Sequence, residues 1–405
     1  PYAPIDASLP DKRIEKILEN LCPRAIVADR ESLEHVESIV DELAKAEGFD
    51  RPQIFIAEDI SRFEQVACAD SNCKISESAG DAVTDSENDM LAAVRRQMSM
   101  TDPLYIIYTS GSTGNPKGVM TSHLSLMTYI NAYCDVMHIE ESDVLGNQSP
   151  LDYIAAIRDI YLPLKTGCST AIIPKEYFME PNALFDYMNE KKVSSVGWSV
   201  SAFTILTSLG AFEEVGLKSL RKICFSGSVM PCRVLRKWQE NLPEAHFVNQ
   251  YGPTEATASC TYYSVDHTVE DDEVLPIGKA YDNYRVFLID EHGNEPAVGE
   301  QGEICVCGPI LALGYYNDPE RTAAAFTLNP LNKAYPERMY RTGDYGRLDE
   351  DGILHFCGRM DRQIKHMGHR VELDEVEHAA NVVEGVAESL SLIHISEPTR
   401  QEAIS

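Results

Sequence analysis

Residues 108–118 read Tyr108-Thr109-Ser110-Gly111-Ser112-Thr113-Gly114-Asn115-Pro116-Lys117-Gly118, a run of small hydroxyl side chains and glycines closed by one lysine. These residue types suit the gripping of phosphate. Glycines let backbone N–H groups approach an oxyanion and turn inward together, hydroxyls add donors, and the lysine adds charge. The spacing is not that of the common nucleotide loop, which needs Gly-x4-Gly-Lys-Ser/Thr opening into a helix, because Gly118 follows Lys117. That order disfavours a phosphate-loop kinase. A Ser/Thr/Gly tract standing alone is more often a turn, so the elements around it carry the argument further.

The loop follows the apolar run Leu104-Tyr105-Ile106-Ile107-Tyr108, which reads as a strand. From 103 to 262 apolar strands alternate with helical patterns: a helix after His123, strands at Ser169–Ile173, Ser194–Trp198, Arg221–Phe225 and His246–Val248, and a helix through Leu184–Lys192. Repeated strand–helix–strand units imply a largely parallel sheet covered by helices, an α/β fold. Ligands of such sheets gather at the carboxyl ends of the strands, where the glycine loop lies. Before this region, residues 14–66 alternate helical and short apolar segments, and 67–102 read as a polar connector. From about 275 the runs Arg285–Ile289 and Gly302–Val306 flank the turn-rich Asp290–Asn294, which predicts hairpins and a small β-barrel.

At 405 residues the chain exceeds one ordinary core and has room for a full-sized active site. Apolar residues make up 44% and charged residues 24%, the balance of a globular protein, and no apolar run reaches the length of a membrane span. A cytoplasmic location without a membrane partner is the default expectation. A net charge of −29 argues against nucleic acid, whose phosphates need clustered Lys and Arg. Eleven cysteines are scattered without C-x-x-C pairs, so zinc is not expected and free thiols are.

Three further strings carry polar chemistry. Asn249-Gln250-Tyr251-Gly252-Pro253-Thr254-Glu255 follows a predicted strand; taken alone it would be a turn ending in a solvated charge. Tyr340-Arg341-Thr342-Gly343-Asp344 sets an aspartate after a glycine, and Gly358-Arg359-Met360-Asp361-Arg362 leads into Gly368-His369-Arg370-Val371-Glu372. In this order, together with the glycine loop, the four strings resemble the signatures of the adenylate-forming ligases: acyl-CoA synthetases, peptide-synthetase adenylation domains and luciferases. The resemblance covers roughly 105–372 and is closest in look to stand-alone amino-acid adenylation domains, including D-alanine:carrier-protein ligases.

The resemblance implies a multi-layer α/β adenylate-forming fold with a small β-barrel and a smaller C-terminal subdomain. Residues 1–357 would form the large domain with its start cut, and 358–389 the hinge and the beginning of a truncated subdomain. The stretch 390–405 resembles the conceptual translation of a sequencing adapter and reads as a non-native tail, so His394 is given no role. ATP and Mg²⁺ are the implied cofactors. The phosphates would be held by Thr109, Ser110, Gly111, Ser112, Thr113, Gly114 and Lys117. Gly227, Ser228 and Val229 would flank adenine, Tyr251 would stack on it, and Asn249 and Gly252 would belong to the same nucleotide site. Thr254 would contact the α-phosphate, Glu255 the metal, Asp344 both ribose hydroxyls, and Arg359 the ribose or phosphate. A carboxylate suits the hard cation, and a two-oxygen acceptor suits the ribose. Asp361 would be the hinge between adenylation and thiolation. His123, otherwise a polar residue at a helix start, would support the acyl pocket.

The implied reaction joins a small amino acid or related carboxylic acid to AMP, releases pyrophosphate, and passes the acyl group to the phosphopantetheine thiol of a carrier protein. An acyl-CoA or aryl-CoA ligase shares all four signatures, and a non-catalytic nucleotide-binding module remains an alternative. Two departures stand out. Counting without gaps from Asn147-Gln148 to Asp159-Ile160-Tyr161 puts Ile154 where amino-acid-activating members keep an aspartate for the α-ammonium, with Asp152 two residues earlier. A buried ammonium without a carboxylate carries a heavy desolvation penalty. Either a local gap lets Asp152 pair with the amine, or the amine is recognised elsewhere, or the acid has no α-amine. The second departure is Ser226-Gly227-Ser228, where the family usually has Gly-Glu and this chain has Gly-Ser; Ser226 would line the acyl pocket.

Overall fold

The computed structural model describes residues 1–46, 48–60, 92–110, 115–359, 363–366, 369–372 and 376. The chain divides into two compact units, Ile5–Pro103 and Pro1–Pro4 with Leu104–Ser405.

In the smaller unit, helices α1 (Asp11–Leu21) and α2 (Leu33–Leu43) alternate with strands β1 (Ala25–Ala28) and β2 (Gln53–Ile56), which pair in parallel. Ile14 and Leu18 of α1, four residues apart on one face, meet Ile39, Val40 and Leu43 of α2 in a small core. Of the predicted connector 67–102, residues 67–91 lie outside the described residues, and 92–97 are helical.

In the larger unit, β3 (Pro103–Thr109) and β4 (Lys117–Ser122) flank the glycine loop and pair with β14 (Gly314–Tyr315) in a three-stranded sheet ordered β14-β4-β3. Ser122 ends β4 and caps helix α3 (His123–Met137) by accepting the Ser125 N–H at 3.1 Å. A seven-stranded sheet follows, built from β5 (Val144–Asn147), β6 (Ser169–Ile172), β7 (Ser195–Ser199), β8 (Lys222–Ser226), β9 (His246–Tyr251), β10 (Thr261–Val265) and β11 (Lys279–Ala280). Its order is β11-β10-β9-β8-β7-β5-β6, with β5 to β9 parallel. Helices α4 (Ala156–Thr166), α5 (Pro181–Glu190), α6 (Val200–Ser208) and α7 (Cys232–Asn241) connect the parallel strands, as the alternation predicts. Strands β10 and β11 run antiparallel at the edge.

Two apolar cores cover this sheet. One joins Trp198, Phe203, Phe225 and Trp238; the other joins Tyr105, Tyr129, Tyr133, Ile154, Cys224, Cys260 and Tyr281. Beyond 284 the expected barrel takes the form of a half-barrel antiparallel sheet. It contains β12 (Arg285–Ile289), β13 (Gln301–Cys307), β15 (Phe326–Leu328), β16 (Arg338–Leu348) and β17 (Leu354–Arg359), with helix α8 (Pro319–Ala325) before β15. Strands β18 (Gln363–His366) and β19 (His369–Glu372) form a hairpin. The predicted helix from Leu373 lies outside the described residues except Val376, which is helical and exposed. Among the described residues no helix is long and apolar enough to cross a membrane.

Candidate active site

Strand β9 runs further than predicted. Asn249, Gln250 and Tyr251 are its last three residues, so the second signature begins on the sheet and not after it. Asn249 and Gln250 are buried, and the Asn249 amide donates to the Pro276 carbonyl at 2.8 Å. The chain then turns sharply at Gly252, where an added Cβ would lie 2.5 Å from the Ser259 Cα; no side chain fits. A single 3₁₀ turn, Thr254–Ala256, follows, and Thr257 and Ala258 both take positive φ, +47° and +74°. Non-glycine residues pay for that conformation with strain. The segment is tied down by the Thr257 hydroxyl donating to the Ile310 carbonyl at 2.7 Å, and by the Ala312 N–H donating to the Glu255 carbonyl at 2.9 Å.

This turn carries Glu255, fully buried, against Lys117 at the start of β4. The Lys117 ammonium donates to Glu255 Oε1 at 3.0 Å, the Tyr315 hydroxyl donates to the same oxygen at 2.8 Å, and the ammonium sits 5.0 Å from the Tyr315 ring centre. Burial beside Glu255 raises the Tyr315 pKa far above the ordinary phenol range, so it stays a donor. Tyr315 completes this cluster although the sequence did not single it out; a tyrosine pair after Gly314 carries no distinctive signal.

The Tyr251 hydroxyl donates to Asp344 Oδ2 at 2.5 Å, and Arg359 forms an ion pair with Asp344 Oδ1. Asp344 and Arg359 are cross-strand partners on β16 and β17, which explains how residues fifteen apart meet. Asp344 is fixed from behind, its N–H donating to the Thr342 hydroxyl at 3.0 Å, which donates onward to the Ile304 carbonyl at 2.7 Å. Burial, then the Asp344 charge, lifts the Tyr251 pKa well above its usual value. A tyrosine ring and a carboxylate with a guanidinium thus share one corner, four residues upstream of Glu255.

The remaining expected residues fall as follows. Ser110 is buried at the end of the strand leading into the loop, and Thr109 is half-buried there; Gly111, Ser112, Thr113 and Gly114 lie outside the described residues. Ser226 is the last residue of β8, aligned with Gln250, and Gly227 beyond it takes φ +100°. Ser228 and Val229 are exposed. His123 stands at the far end of β4 from Lys117, about 20 Å along an extended strand, so the two do not converge. Asp152 is half-buried in the turn before α4, while Ile154 is buried in the apolar core. Asp361 lies outside the described residues.

The site suits a nucleotide shared with magnesium. A magnesium ion on nucleotide phosphates needs one or two protein carboxylates, and the buried Glu255 is a group of that kind. Among the described residues no group of three or more His, Cys, Asp or Glu offers an independent metal cage.

The sequence pattern that defines AMP-binding enzymes matches residues 1–316. The chain belongs to the AMP-binding enzyme family. Within the family it is similar to D-alanine–D-alanyl carrier protein ligases. It is 37% identical to that of Bacillus cytotoxicus and 38% to that of Bacillus anthracis over 286 residues, 69% of this chain and 55% and 56% of theirs. The chain therefore spans a little over half the length of these curated relatives. Among solved structures it resembles the Vibrio cholerae adenylation domain AlmE, determined in complex with glycyl-adenosine-5'-phosphate. The TM-score is 0.75 at 25% identity, covering 94% of this chain and 69% of that one. IdnL1 shares the fold, with a TM-score of 0.73 at 24% identity over 96% of this chain and 72% of that one. The adenylate-forming membership expected from the four strings is thus shown.

Proposed function

We propose that the protein activates a small amino acid or related carboxylic acid by adenylation and then delivers the acyl group to a carrier-protein thiol. The observation that carries this reading is the paired geometry of Tyr251–Asp344–Arg359 and Lys117–Glu255 in a chain of this family. Tyr251 offers its ring face to adenine, and Asp344, already oriented by Tyr251, Arg359 and Thr342, offers carboxylate oxygens to the ribose. Ser110 and Lys117, on either side of the glycine loop, would meet the phosphates. Lys117 would give its charge to a phosphate, and Glu255 would hold the magnesium. The ion would supply charge neutralisation for phosphoryl oxygens as a carboxylate approaches.

The substrate carboxylate attacks the α-phosphorus in line, the bond to pyrophosphate breaks, and a mixed anhydride forms. No side chain need act as a nucleophile, so positioning and charge stabilisation do the work. Thr254, beside Glu255, would offer its hydroxyl to the α-phosphate. The test is acid-dependent exchange of pyrophosphate into ATP by the full-length protein. Glu255→Gln should depress it by on the order of 100-fold, and unchanged exchange would remove Glu255 from the reaction. Thioester should form faster on a carrier protein than on free CoA; the reverse would make the protein an acyl-CoA ligase.

A further inference from the structure

The apolar core behind Tyr251 contains a cluster of hydrogen-bond donors that the nucleotide chemistry does not use. Arg158, in the first turn of α4, is 3% exposed. Its Nε and Nη2 are taken by the two oxygens of Asp159, at 2.9 and 3.3 Å, and Nη2 also donates to the Gly197 carbonyl. The remaining nitrogen, Nη1, meets among the described residues the Cys224 sulfur at 3.9 Å, a poor acceptor. Cys224 also meets the Tyr133 hydroxyl at 3.2 Å, and the Arg158 guanidinium lies 5.3 Å from the Tyr133 ring centre.

Other polar groups in this core also lack partners. The Tyr281 and Tyr284 hydroxyls and Gln250 Nε2 have no hydrogen-bond partner among the described residues, although all three residues are at least nine-tenths buried. Their neighbourhood is common: the Tyr281 phenol feels Tyr129, Cys224 and Tyr284, and the Tyr284 phenol feels Tyr129 and Cys260. Gln250 is the residue before Tyr251, and its Oε1 accepts from Ser259 at 3.3 Å. Buried donors left without acceptors are costly, and native proteins rarely retain them without a ligand or water to satisfy them.

We propose that this cluster is the acyl pocket and that it selects a small acid bearing an acceptor oxygen at C2, a keto or hydroxy acid, in place of an α-amino acid. This rests on the adenylation reading given above. An ammonium group is a cation that only donates, as do Arg158 Nη1 and Gln250 Nε2, so an amine would leave both of these unanswered, would meet the guanidinium charge in a low-dielectric space, and would find acceptors only in the phenol oxygens. The carboxylate nearest Arg158, Asp159, is occupied through both oxygens, and Ile154 offers none. A carbonyl or hydroxyl oxygen gives such donors an acceptor without adding net charge. A second carboxylate would add a buried negative charge to an already neutral Arg158–Asp159 pair.

The experiment is pyrophosphate exchange by the full-length protein with matched three-carbon acids that differ only at C2: alanine of either hand, lactate, pyruvate and propionate. The expected result is a kcat/KM for pyruvate or lactate at least about tenfold above that for either alanine. Arg158→Met should erase most of that preference while the protein keeps its AMP affinity and circular dichroism spectrum. Because the wild-type panel needs no variant, a poorly folded substitution does not blunt the test. Preference for alanine, lost in Asp152→Asn, would overturn the inference and leave the ligase reading standing. Exchange with none of the acids, despite ATP binding, would overturn both.

Discussion

At the level of single residues, the site is organised by charges that meet across long sequence separations. Lys117 and Glu255 are 138 residues apart, and their ion pair is almost wholly removed from water. Breaking such a pair from one side leaves a buried charge, which costs far more than the pair contributes as a whole. Lys117→Met should therefore lower the unfolding free energy by about 3 kcal/mol in urea titrations. A loss within about 0.5 kcal/mol, the range of an ordinary surface change, would mean that Glu255 finds its stabilisation elsewhere. The individual residue types of this site were legible in the sequence: Tyr251, Glu255, Asp344 and Arg359 all stand in recognisable strings. Their partnerships were not. Nothing in local spacing links Lys117 to Glu255, and Tyr315 and Arg158 gave no signal, because a tyrosine after a glycine and an arginine beside an aspartate are ordinary surface patterns until burial is known.

At the level of elements, a strand and a sharp turn set where Tyr251 points. Strand β9 ends on Tyr251, and the close approach of Gly252 to Ser259 lets the chain fold back beneath it. Gly252→Ala forces backbone against backbone, so a loss of about 1–3 kcal/mol in stability should accompany weaker nucleotide binding. A variant with native stability and native AMP affinity would show that the turn has room the geometry denies. The alternation of strands and helices between 103 and 262 was readable because parallel strands buried on both faces appear as short apolar runs. The end of β9 was missed because Asn249 and Gln250 interrupt that pattern with polar side chains whose burial depends on partners such as the Pro276 carbonyl. The antiparallel edge, β10 and β11, escaped notice for a related reason. Its direction is set by a tight turn at Gly252–Ser259, not by a helical crossover.

At the level of the molecule, the larger unit is unusually dependent on buried phenols. Burial raises the pKa values of Tyr105, Tyr129, Tyr133, Tyr251, Tyr281, Tyr284 and Tyr315. A phenol whose folded pKa lies above its ordinary value of 10.0 holds its proton more tightly in the folded state. Its stabilising contribution is complete below that pH and declines as the pH rises beyond it. The protein should thus lose stability steeply above about pH 10, with tyrosinate absorbance and loss of near-ultraviolet circular dichroism rising together. Ionisation of most tyrosines before any unfolding would contradict the burial on which the core rests. In the proposed function Tyr251, Asp344 and Arg359 clasp the nucleoside end of ATP, and calorimetric titration of AMP into the full-length protein shows whether they do. Asp344→Ala and Tyr251→Ala should each weaken AMP by at least about tenfold, roughly 1.4 kcal/mol, in protein that stays folded. An Asp344→Ala protein that folds and binds AMP as the parent does would mean that this carboxylate does not hold the nucleoside.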